Sequence, residues 1–368
     1  MNTQEITATE LQKMFENGKE MVVLDIRPQE QREEWQIAGS IHNNVYDRLI
    51  AGDKTVFDNT KFDRETPIVT VCAGGKTSLI AADILNTKGY NVLSLQGGMK
   101  AWNYAWNTAE IKHTEVTIVQ VRRVAKGCIS YIIGSDKEAI VVDASLEPSV
   151  YMELAQKNGW TIKYVMDTHV HADYISRTIE LAKATGATHL FTENAGVSYA
   201  FVPLNDREIV PFGSANLTAI FTPGHTPESI SYLINNDYLL TGDTLFTNGV
   251  GRPDLKADYE QGLQKAEQLF ISLGKILVLS DNDLLILPAH TSSSIAFDGK
   301  IIGDKLSNLS AKIELLQLEK EAFIAQTMKR IPPTPPNYIQ IATLNKSGNY
   351  EGINPADLEA GANRCAVS

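Results

Sequence analysis

The segment that most constrains this chain of 368 residues is THVHADY, residues 168–174. It follows an apolar run, residues 162–166, that predicts a β-strand. Two imidazoles and a carboxylate, spaced two residues apart, therefore lie in a turn after a strand. Histidine nitrogens and carboxylate oxygens are ligands for zinc or iron. The spacing predicts a metal site at the end of this strand.

Three further polar motifs also follow apolar or β-rich runs, so each is expected at a strand end. They are residues 222–229 (TPGHTPES), 240–246 (LTGDTLF) and 287–290 (LPAH). Four of the seven histidines of the chain lie in these motifs and in the first segment: His169, His171, His225 and His290. Together with Asp173 and Asp243, this set favours a metal centre over a structural role for each residue.

A second feature lies about a hundred residues upstream, where residues 71–78 (VCAGGKTS) place Cys72 in a glycine-rich loop between a strand and a helix. Successive backbone N–H groups at a helix N-terminus favour the thiolate, which is the nucleophilic form of cysteine. Gly74 and Gly75 permit the tight curl of such a loop, and Lys76 would attract an anionic substrate. A buried structural cysteine is the alternative. A sulfur nucleophile and a metal site on one chain indicate sulfur chemistry.

Composition excludes several classes of protein. The length fits two domains, and 43% hydrophobic with 21% charged residues is ordinary for a globular protein. A net charge of −11 argues against a general nucleic-acid binder. No apolar run approaches the ~18 residues that span a bilayer, and no secretory signal is visible. Because there are only three scattered cysteines, a cytoplasmic location without disulfides is expected.

The pattern of strands and helices divides the chain in two. Up to about residue 105, strands at 21–25, 67–72 and 91–95 and a helix at 77–88 predict a parallel α/β sheet. From residue 114, consecutive strands at 116–121, 128–133 and 139–142 precede alternating helices and strands, which predicts an αβ/βα sandwich. We therefore expect domains at 1–108 and 114–368, joined by a linker at 109–113. In the tail, an amphipathic helix at 304–328 is expected to stop at the prolines 332, 333, 335 and 336.

The first of these domains resembles a rhodanese. The matching pieces are residues 24–27 (LDIR), 37–41 (IAGSI), the Cys72 loop, and 95–102 (LQGGMKAW). The resemblance implies that Cys72 carries sulfane sulfur as a persulfide, with Lys76 as a second catalytic residue and Gly75 and Thr77 contacting the substrate. Many rhodaneses have arginine at the position of Thr77, and its absence disfavours thiosulfate as the donor.

The second domain resembles the metallo-β-lactamase fold, and within it the persulfide dioxygenase branch first and glyoxalase II second. The resemblance implies one Fe(II) per chain, held by His169, His225 and Asp243, with zinc as the other metal that suits these ligands. In the family motif His-x-His-x-Asp-His the last histidine serves a second metal. Here that position is Tyr174, so a second metal should be weak or absent. The remaining polar groups are expected to orient ligands or to act as alternative ligands: His171, Asp173, Tyr174 and His290.

The stretch GVGRPD, residues 249–254, also resembles the persulfide dioxygenases. Arg252 matches an arginine near the iron and is expected to bind a substrate carboxylate. After His290 this chain reads TSSS, residues 291–294, where the dioxygenases usually have Asp-Tyr. This departure, with Tyr174, weakens the case for the standard glutathione persulfide as the substrate.

Three functions remain open on this basis. The first is a fusion enzyme in which Cys72 transfers sulfane sulfur and the iron site oxidises a low-molecular-weight persulfide, such as glutathione persulfide, to sulfite with O2. The second is a metal-dependent thioester hydrolase of the glyoxalase II type. The third is a persulfide carrier or sensor with a degenerate metal domain. The resemblance implies a homo-oligomer, and neither nucleic acid nor a membrane is expected as a partner. Cys128 is interpreted as a core residue, whereas Cys365 is left without an assigned role.

Overall fold

The computed structural model describes residues 4–254, 257–279, 283–335, 337–361 and 363–368. Its first part is a parallel five-stranded sheet in the order β1-β5-β4-β2-β3. The elements are β1 (Glu5–Ile6), α1 (Ala8–Glu16), β2 (Val22–Asp25), α2 (Gln29–Glu34), β3 (Ile41–His42), α3 (Tyr46–Ile50), β4 (Ile68–Val71), α4 (Lys76–Thr87), β5 (Val92–Leu95) and α5 (Gly98–Trp102). The expected parallel α/β sheet is confirmed, and α4 ends before Gly89, whose φ is 85°.

The second part is a sandwich of two mixed sheets. The first has the order β12-β11-β10-β9-β8-β7-β6 and the second β13-β14-β15-β16-β18-β19. The first sheet and its helices comprise β6 (Trp106–Lys112), β7 (Thr117–Arg123), β8 (Ile129–Ser135), β9 (Glu138–Val142), α6 (Pro148–Asn158), β10 (Thr161–Met166), α7 (Thr178–Thr185), β11 (Thr188–Thr192) and β12 (Val202–Leu204). The second sheet with the tail comprises β13 (Ile209–Phe212), β14 (Ala215–Phe221), β15 (Ile230–Ile234), β16 (Tyr238–Gly242), β17 (Val250–Gly251), α8 (Tyr259–Leu277), β18 (Leu285–Pro288), β19 (Asp304–Lys305), α9 (Leu306–Lys312), a 3₁₀ turn (Glu314–Gln317), α10 (Lys320–Lys329), α11 (Tyr338–Ser347), α12 (Pro355–Leu358) and β20 (Ala366–Val367).

The core lies between these two sheets. Ile118, Ile133 and Ile140 from the first sheet pack against Leu217 and Tyr232 from the second, and all five are buried. Helices α6 and α7 cover the outer face of the first sheet, and α8, α9 and α10 cover that of the second. This is the expected αβ/βα sandwich. Among the described residues, no helix combines the length and hydrophobicity needed to cross a membrane.

Two expectations about connecting segments are wrong. Residues 109–113, expected as a linker, mostly belong to β6, which pairs antiparallel with the whole of β7. The strand was hidden because polar Asn107 occupies a buried position, where it accepts a hydrogen bond from Arg122. The tail is not one helix, since the backbone is extended at Ile313 and Leu318 and divides residues 304–328 into β19, α9, the 3₁₀ turn and most of α10. Of the expected proline stop, residue 336 lies outside the described residues.

Candidate metal centre and cysteine loop

Three donor side chains meet at one edge of the sandwich. His169 follows β10, His225 lies between β14 and β15, and Asp243 directly follows β16. The Nε2 atom of His169 lies 3.6 Å from Oδ2 of Asp243, and Nε2 of His225 lies 3.5 Å from the same oxygen. Each predicted ligand therefore comes from a different strand end, and the fold brings the three together.

These three atoms fit a metal ion. His169 Nε2, His225 Nε2 and Asp243 Oδ2 are buried and have no hydrogen-bond partner among the described residues. A buried polar atom without a partner costs about 1–3 kcal/mol, so three of them facing one another require an explanation. A cation bound by two imidazoles and a carboxylate would satisfy all three, and this donor set suits Fe(II) or Zn(II).

The opposite nitrogen of each imidazole is held by the protein. His169 Nδ1 lies 2.9 Å from Thr168 Oγ1, which itself lies 3.0 Å from a carboxylate oxygen of Asp143. His225 Nδ1 lies 2.9 Å from the carbonyl oxygen of Arg252. Because a carbonyl can only accept, His225 carries its proton on Nδ1 and presents the lone pair of Nε2. Such contacts fix the tautomer and orientation of metal-ligating histidines.

The protonation states favour the ligand forms. Burial, followed by the neighbouring His171, lowers the pKa of His169 well below its ordinary value, and burial also lowers that of His225. Burial opposes ionisation of Asp243, but His290 and His169 outweigh it and lower the pKa of this carboxyl. Neutral imidazoles and an ionised carboxylate are the forms that bind a metal.

His290 and Asp173 lie behind the three donors. His290 Nδ1 lies 2.5 Å from Asp243 Oδ1, and its Nε2 lies 3.1 Å from Asp173 Oδ2. Although burial opposes a charge on this ring, the two carboxylates raise the pKa of His290 well above its ordinary value. His290 therefore bridges the Asp243 and Asp173 carboxylates.

His171 and Tyr174 both contact Asp143, and the His171 ring also packs against that of His169, with centroids 4.2 Å apart. His171 Nε2 lies 2.9 Å from Asp143 Oδ1, and the Tyr174 hydroxyl donates to the Asp143 carbonyl at 3.2 Å. The two rings stack with centroids 4.3 Å apart. Burial raises the pKa of Tyr174 well above its ordinary value, so this phenol stays neutral. Sequence reasoning missed Asp143, although it directly follows the apolar run of β9, as the predicted ligand Asp243 follows β16.

Arg252 does not lie as expected for a substrate-binding residue. Its guanidinium is fully buried and forms two hydrogen bonds of 2.8 Å with Asp254. Further hydrogen bonds go to the carbonyl of Pro332 at 2.9 Å and to that of Arg364 at 3.1 Å. Because the protein itself occupies these donors, we correct the prediction: Arg252 positions His225 through its carbonyl oxygen and anchors two C-terminal segments.

The interpretation of Cys128 as a core residue is incomplete. The thiol is buried, as expected, but it donates to Asp173 Oδ2 at 3.2 Å. Burial, followed by the charge of Asp173, raises the pKa of Cys128 to about 11. Cys128 is thus a neutral hydrogen-bond donor beside the metal centre. Its position in a β-rich sequence gives no signal of that contact.

The cysteine loop curls around the Cys72 sulfur. Cys72 follows β4 and is 2% exposed. The backbone N–H of Gly75 donates to Sγ at 3.2 Å, and the N–H of Ser78 lies 3.4 Å away. Gly75 adopts a φ of 89°, which favours glycine. These N–H groups would stabilise a thiolate or a persulfide at this position.

The Gly97-Gly98 pair of the rhodanese-like pattern packs against this loop. The N–H of Met99 donates to the carbonyl of Cys72 at 2.9 Å. A Cβ at Gly98 would collide with that carbonyl oxygen. Lys76 is exposed at the start of α4, whereas Thr77 is only 4% exposed. Thr77 therefore does not face a substrate, and that prediction is corrected to a packing role.

A cavity of about 730 Å³ lies beside the loops that carry His169 and His225. Val170 and Ala172 line it from the first loop, and Thr226, Pro227 and Glu228 line it from the second. Helices α8 and α11 form the other wall and contribute Lys265 and Lys346. Its volume suits a small organic molecule.

Comparisons with known proteins agree with both halves of this architecture. The model of the rhodanese-like domain matches residues 7–105, and that of the metallo-beta-lactamase superfamily matches residues 125–290. A hydroxyacylglutathione hydrolase of Rhizobium johnstonii is 30% identical over 196 residues, which cover 51% of this chain and 72% of the relative. The chain belongs to the metallo-beta-lactamase superfamily and carries a rhodanese-like domain ahead of that fold.

Persulfide dioxygenases are also among its relatives. The human mitochondrial persulfide dioxygenase ETHE1 is 28% identical over 165 residues, which cover 44% of this chain and 63% of the relative. The crystal structure of ETHE1 from Myxococcus xanthus superposes with a TM-score of 0.53 at 26% identity, covering 66% of this chain and 99% of that one. The chain spans less than two thirds of the length of the mammalian dioxygenases it matches.

Proposed function

We propose that this protein oxidises a low-molecular-weight persulfide to sulfite with O2 at an Fe(II) site, and that Cys72 exchanges sulfane sulfur with the same thiol carrier. The observation that carries the proposal is the convergence of His169 Nε2, His225 Nε2 and Asp243 Oδ2, all buried and without partners in the described part of the chain. Fe(II) bound by two histidines and one carboxylate retains coordination positions for O2 and a substrate. The likeness to persulfide dioxygenases supports this substrate class.

Neighbouring residues orient the three metal-binding side chains, and the cavity beside them is the proposed binding site for the thiol carrier. Thr168 and the Arg252 carbonyl orient the two imidazoles, and His290 holds Asp243. The cavity would receive the carrier part of the persulfide. Lys346 on α11 gives this cavity a cationic group, which suits a carboxylate of a peptide thiol such as glutathione.

The Cys72 loop would perform a transfer that needs no oxidant. The Cys72 thiolate attacks the outer sulfur of the carrier persulfide, and the carrier S–S bond breaks. The carrier leaves as a thiolate, which takes up the proton that the outer sulfur carried. The N–H groups of Gly75 and Ser78 would stabilise the new persulfide anion on Cys72. Fusion of both sites in one chain raises the local concentration of the carrier near the second site.

O2 consumption tests the proposal. Metal-free protein is reconstituted with Fe(II), glutathione persulfide is added, and O2 uptake and sulfite are measured together. We expect both signals in the unmodified protein and in His113→Ala, since His113 is exposed and outside the site. His169→Ala should abolish both. Equal O2 uptake by His169→Ala and the unmodified protein would refute the proposal.

A thioester hydrolase is the second candidate. It is favoured by the similarity to the hydroxyacylglutathione hydrolase of Rhizobium johnstonii, at 30% identity. The zinc-reconstituted protein would then cleave a glutathione thioester, with release of one free thiol per acid formed. Hydrolysis lost in His169→Ala, without any O2 uptake by the iron form, would support this function instead. A Cys72 persulfide formed without either activity would indicate the carrier role.

A further inference from the structure

The C-terminal strap, residues 363–368, brings Cys365 to the metal centre. The Sγ atom of Cys365, a carboxylate oxygen of Asp243 and a ring nitrogen of His290 lie within 4.8 Å of one another. Cys365 is 1% exposed. Asp243 is also the residue that His169 and His225 face. The thiol therefore lies beside the carboxylate that a bound metal would share.

The strap is fixed in this position by several hydrogen bonds. Strand β20 pairs antiparallel with β17, and the N–H of Arg252 donates to the Cys365 carbonyl at 3.0 Å. Asn363 accepts from the N–H of Cys365 at 2.9 Å and donates to Asp173 Oδ2 at 2.9 Å. A Cβ at Gly249 would collide with the strap backbone. The strap therefore packs against the glycine-containing residues 249–251 that precede Arg252.

Cys365 also packs against residues that line the cavity. It packs in one apolar cluster with Val170, Ala172, Tyr338 and Ala342. Those four residues line the cavity of about 730 Å³. The Tyr338 hydroxyl lies 4.0 Å from the Cys365 sulfur.

We propose that Cys365 is a fourth, displaceable ligand that caps the metal centre on the side of the cavity, an inference that rests on the metal centre proposed above. The unpartnered atoms of His169, His225 and Asp243 fit a cation at this position. A thiolate is a strong donor for zinc and for iron, and a coordinating thiol loses its proton to the metal. Together with the Asp243 carboxylate it supplies two negative charges, which balance a divalent ion in a buried site.

This assignment changes how the centre would operate. The two-histidine, one-carboxylate set has open positions, and Cys365 would occupy one of them until a substrate sulfur replaces it. The exchange would favour soft sulfur ligands over carboxylates or water, because they compete best with a thiolate for the metal. The cap would therefore select sulfur compounds as substrates.

Cobalt(II) provides a spectroscopic test that does not depend on turnover. Metal-free full-length protein is titrated anaerobically with Co(II), and the near-ultraviolet thiolate-to-metal charge-transfer band is recorded. We expect the band in the unmodified protein and in Cys128→Ser, the matched control, because that buried thiol contacts Asp173. Cys365→Ser should lose the band while Co(II) still binds, and its zinc affinity should fall at least about tenfold.

The outcomes separate this inference from the metal centre itself. Co(II) binding without a charge-transfer band in the unmodified protein, or a band that persists in Cys365→Ser, would overturn the role of Cys365 and leave the dioxygenase proposal standing. No Co(II) binding at all would overturn both. Should Cys365→Ser fail to fold, X-ray absorption of the unmodified zinc protein decides: one sulfur at about 2.3 Å supports the cap, and only nitrogen and oxygen neighbours refute it.

Discussion

The buried ion pair between Arg123 and Glu359 offers a quantitative test of how the C-terminal region is held. Their charged atoms lie 2.8 Å apart, and the side chains are 0% and 1% exposed. Glu359 also accepts from the N–H of Ile175, the residue that follows the His-x-His-x-Asp-Tyr segment. Burial opposes the charge on Arg123, but Glu359 more than compensates and raises its pKa. Removal of either partner would leave an unpaired charge in the interior.

Breaking such a pair costs about 3–5 kcal/mol. For a domain of this size, that corresponds to a fall of roughly 6–20 °C in the unfolding midpoint. We therefore expect Glu359→Leu and Arg123→Met each to lower the midpoint strongly in calorimetry of the protein with both domains. Arg330→Met serves as the control, because its ion pair with Glu314 is partly exposed, at 29% and 64%, and such pairs contribute little.

The double variant Arg123→Met/Glu359→Leu distinguishes a buried charge from a simple loss of packing. Replacing both charges by apolar groups removes the unpaired ion, so the midpoint should recover part of the loss of either single variant. A double variant whose loss equals the sum of the two single losses would refute the reasoning. So would single variants that unfold at the same midpoint as Arg330→Met.

Three further predictions concern the two sites. Gly98→Ala should abolish persulfide formation on Cys72 because its Cβ would collide with the loop carbonyl, while the zinc content measured by mass spectrometry stays unchanged; active Gly98→Ala would contradict this packing. His225→Ala should reduce the metal bound after dialysis to a small fraction of that in unmodified protein, and an equal metal content would show that His225 is no ligand. Tyr174→His should raise the zinc stoichiometry from one towards two per chain, since it restores the second-metal motif beside Asp173; a stoichiometry that stays at one would show that the stacked ring position, not the phenol, excludes the second ion.

It could be predicted from sequence that polar groups at strand ends form a metal site, because each group follows an apolar or β-rich run. The choice of His169, His225 and Asp243 as the ligands rested on the resemblance to persulfide dioxygenases. The fold brings the end of β10 from one sheet against the ends of β14 and β16 from the other. The Cys72 loop could also be predicted from sequence, because its glycines directly follow a strand in the chain. In both cases the residue types that the chemistry needs can be recognised within a short stretch of sequence.

The contacts that could not be predicted join residues far apart in the chain. Asn363 bonds to Asp173 across 190 positions, and no local pattern marks either residue as the partner of the other. Arg252 was expected to face a substrate because its motif resembles a family pattern, yet Asp254, two residues on, occupies its guanidinium. The hidden strand β6 has the same origin, since a buried polar residue such as Asn107 is compatible with a strand only when a distant donor satisfies it.

The C-terminal region, residues 357–364, forms ion pairs with both halves of the molecule, but these pairs differ in how much they contribute to stability. Its ion pairs to the rhodanese-like half, Lys100–Asp357 at 3.3 Å and Glu34–Arg364 at 3.7 Å, are exposed and contribute little. The buried pair formed by Glu359 is a contact within the second half. The strap is therefore held mainly by contacts within the second half. The two halves pack against each other elsewhere, where Phe15 stacks on Phe297 with ring centroids 5.0 Å apart.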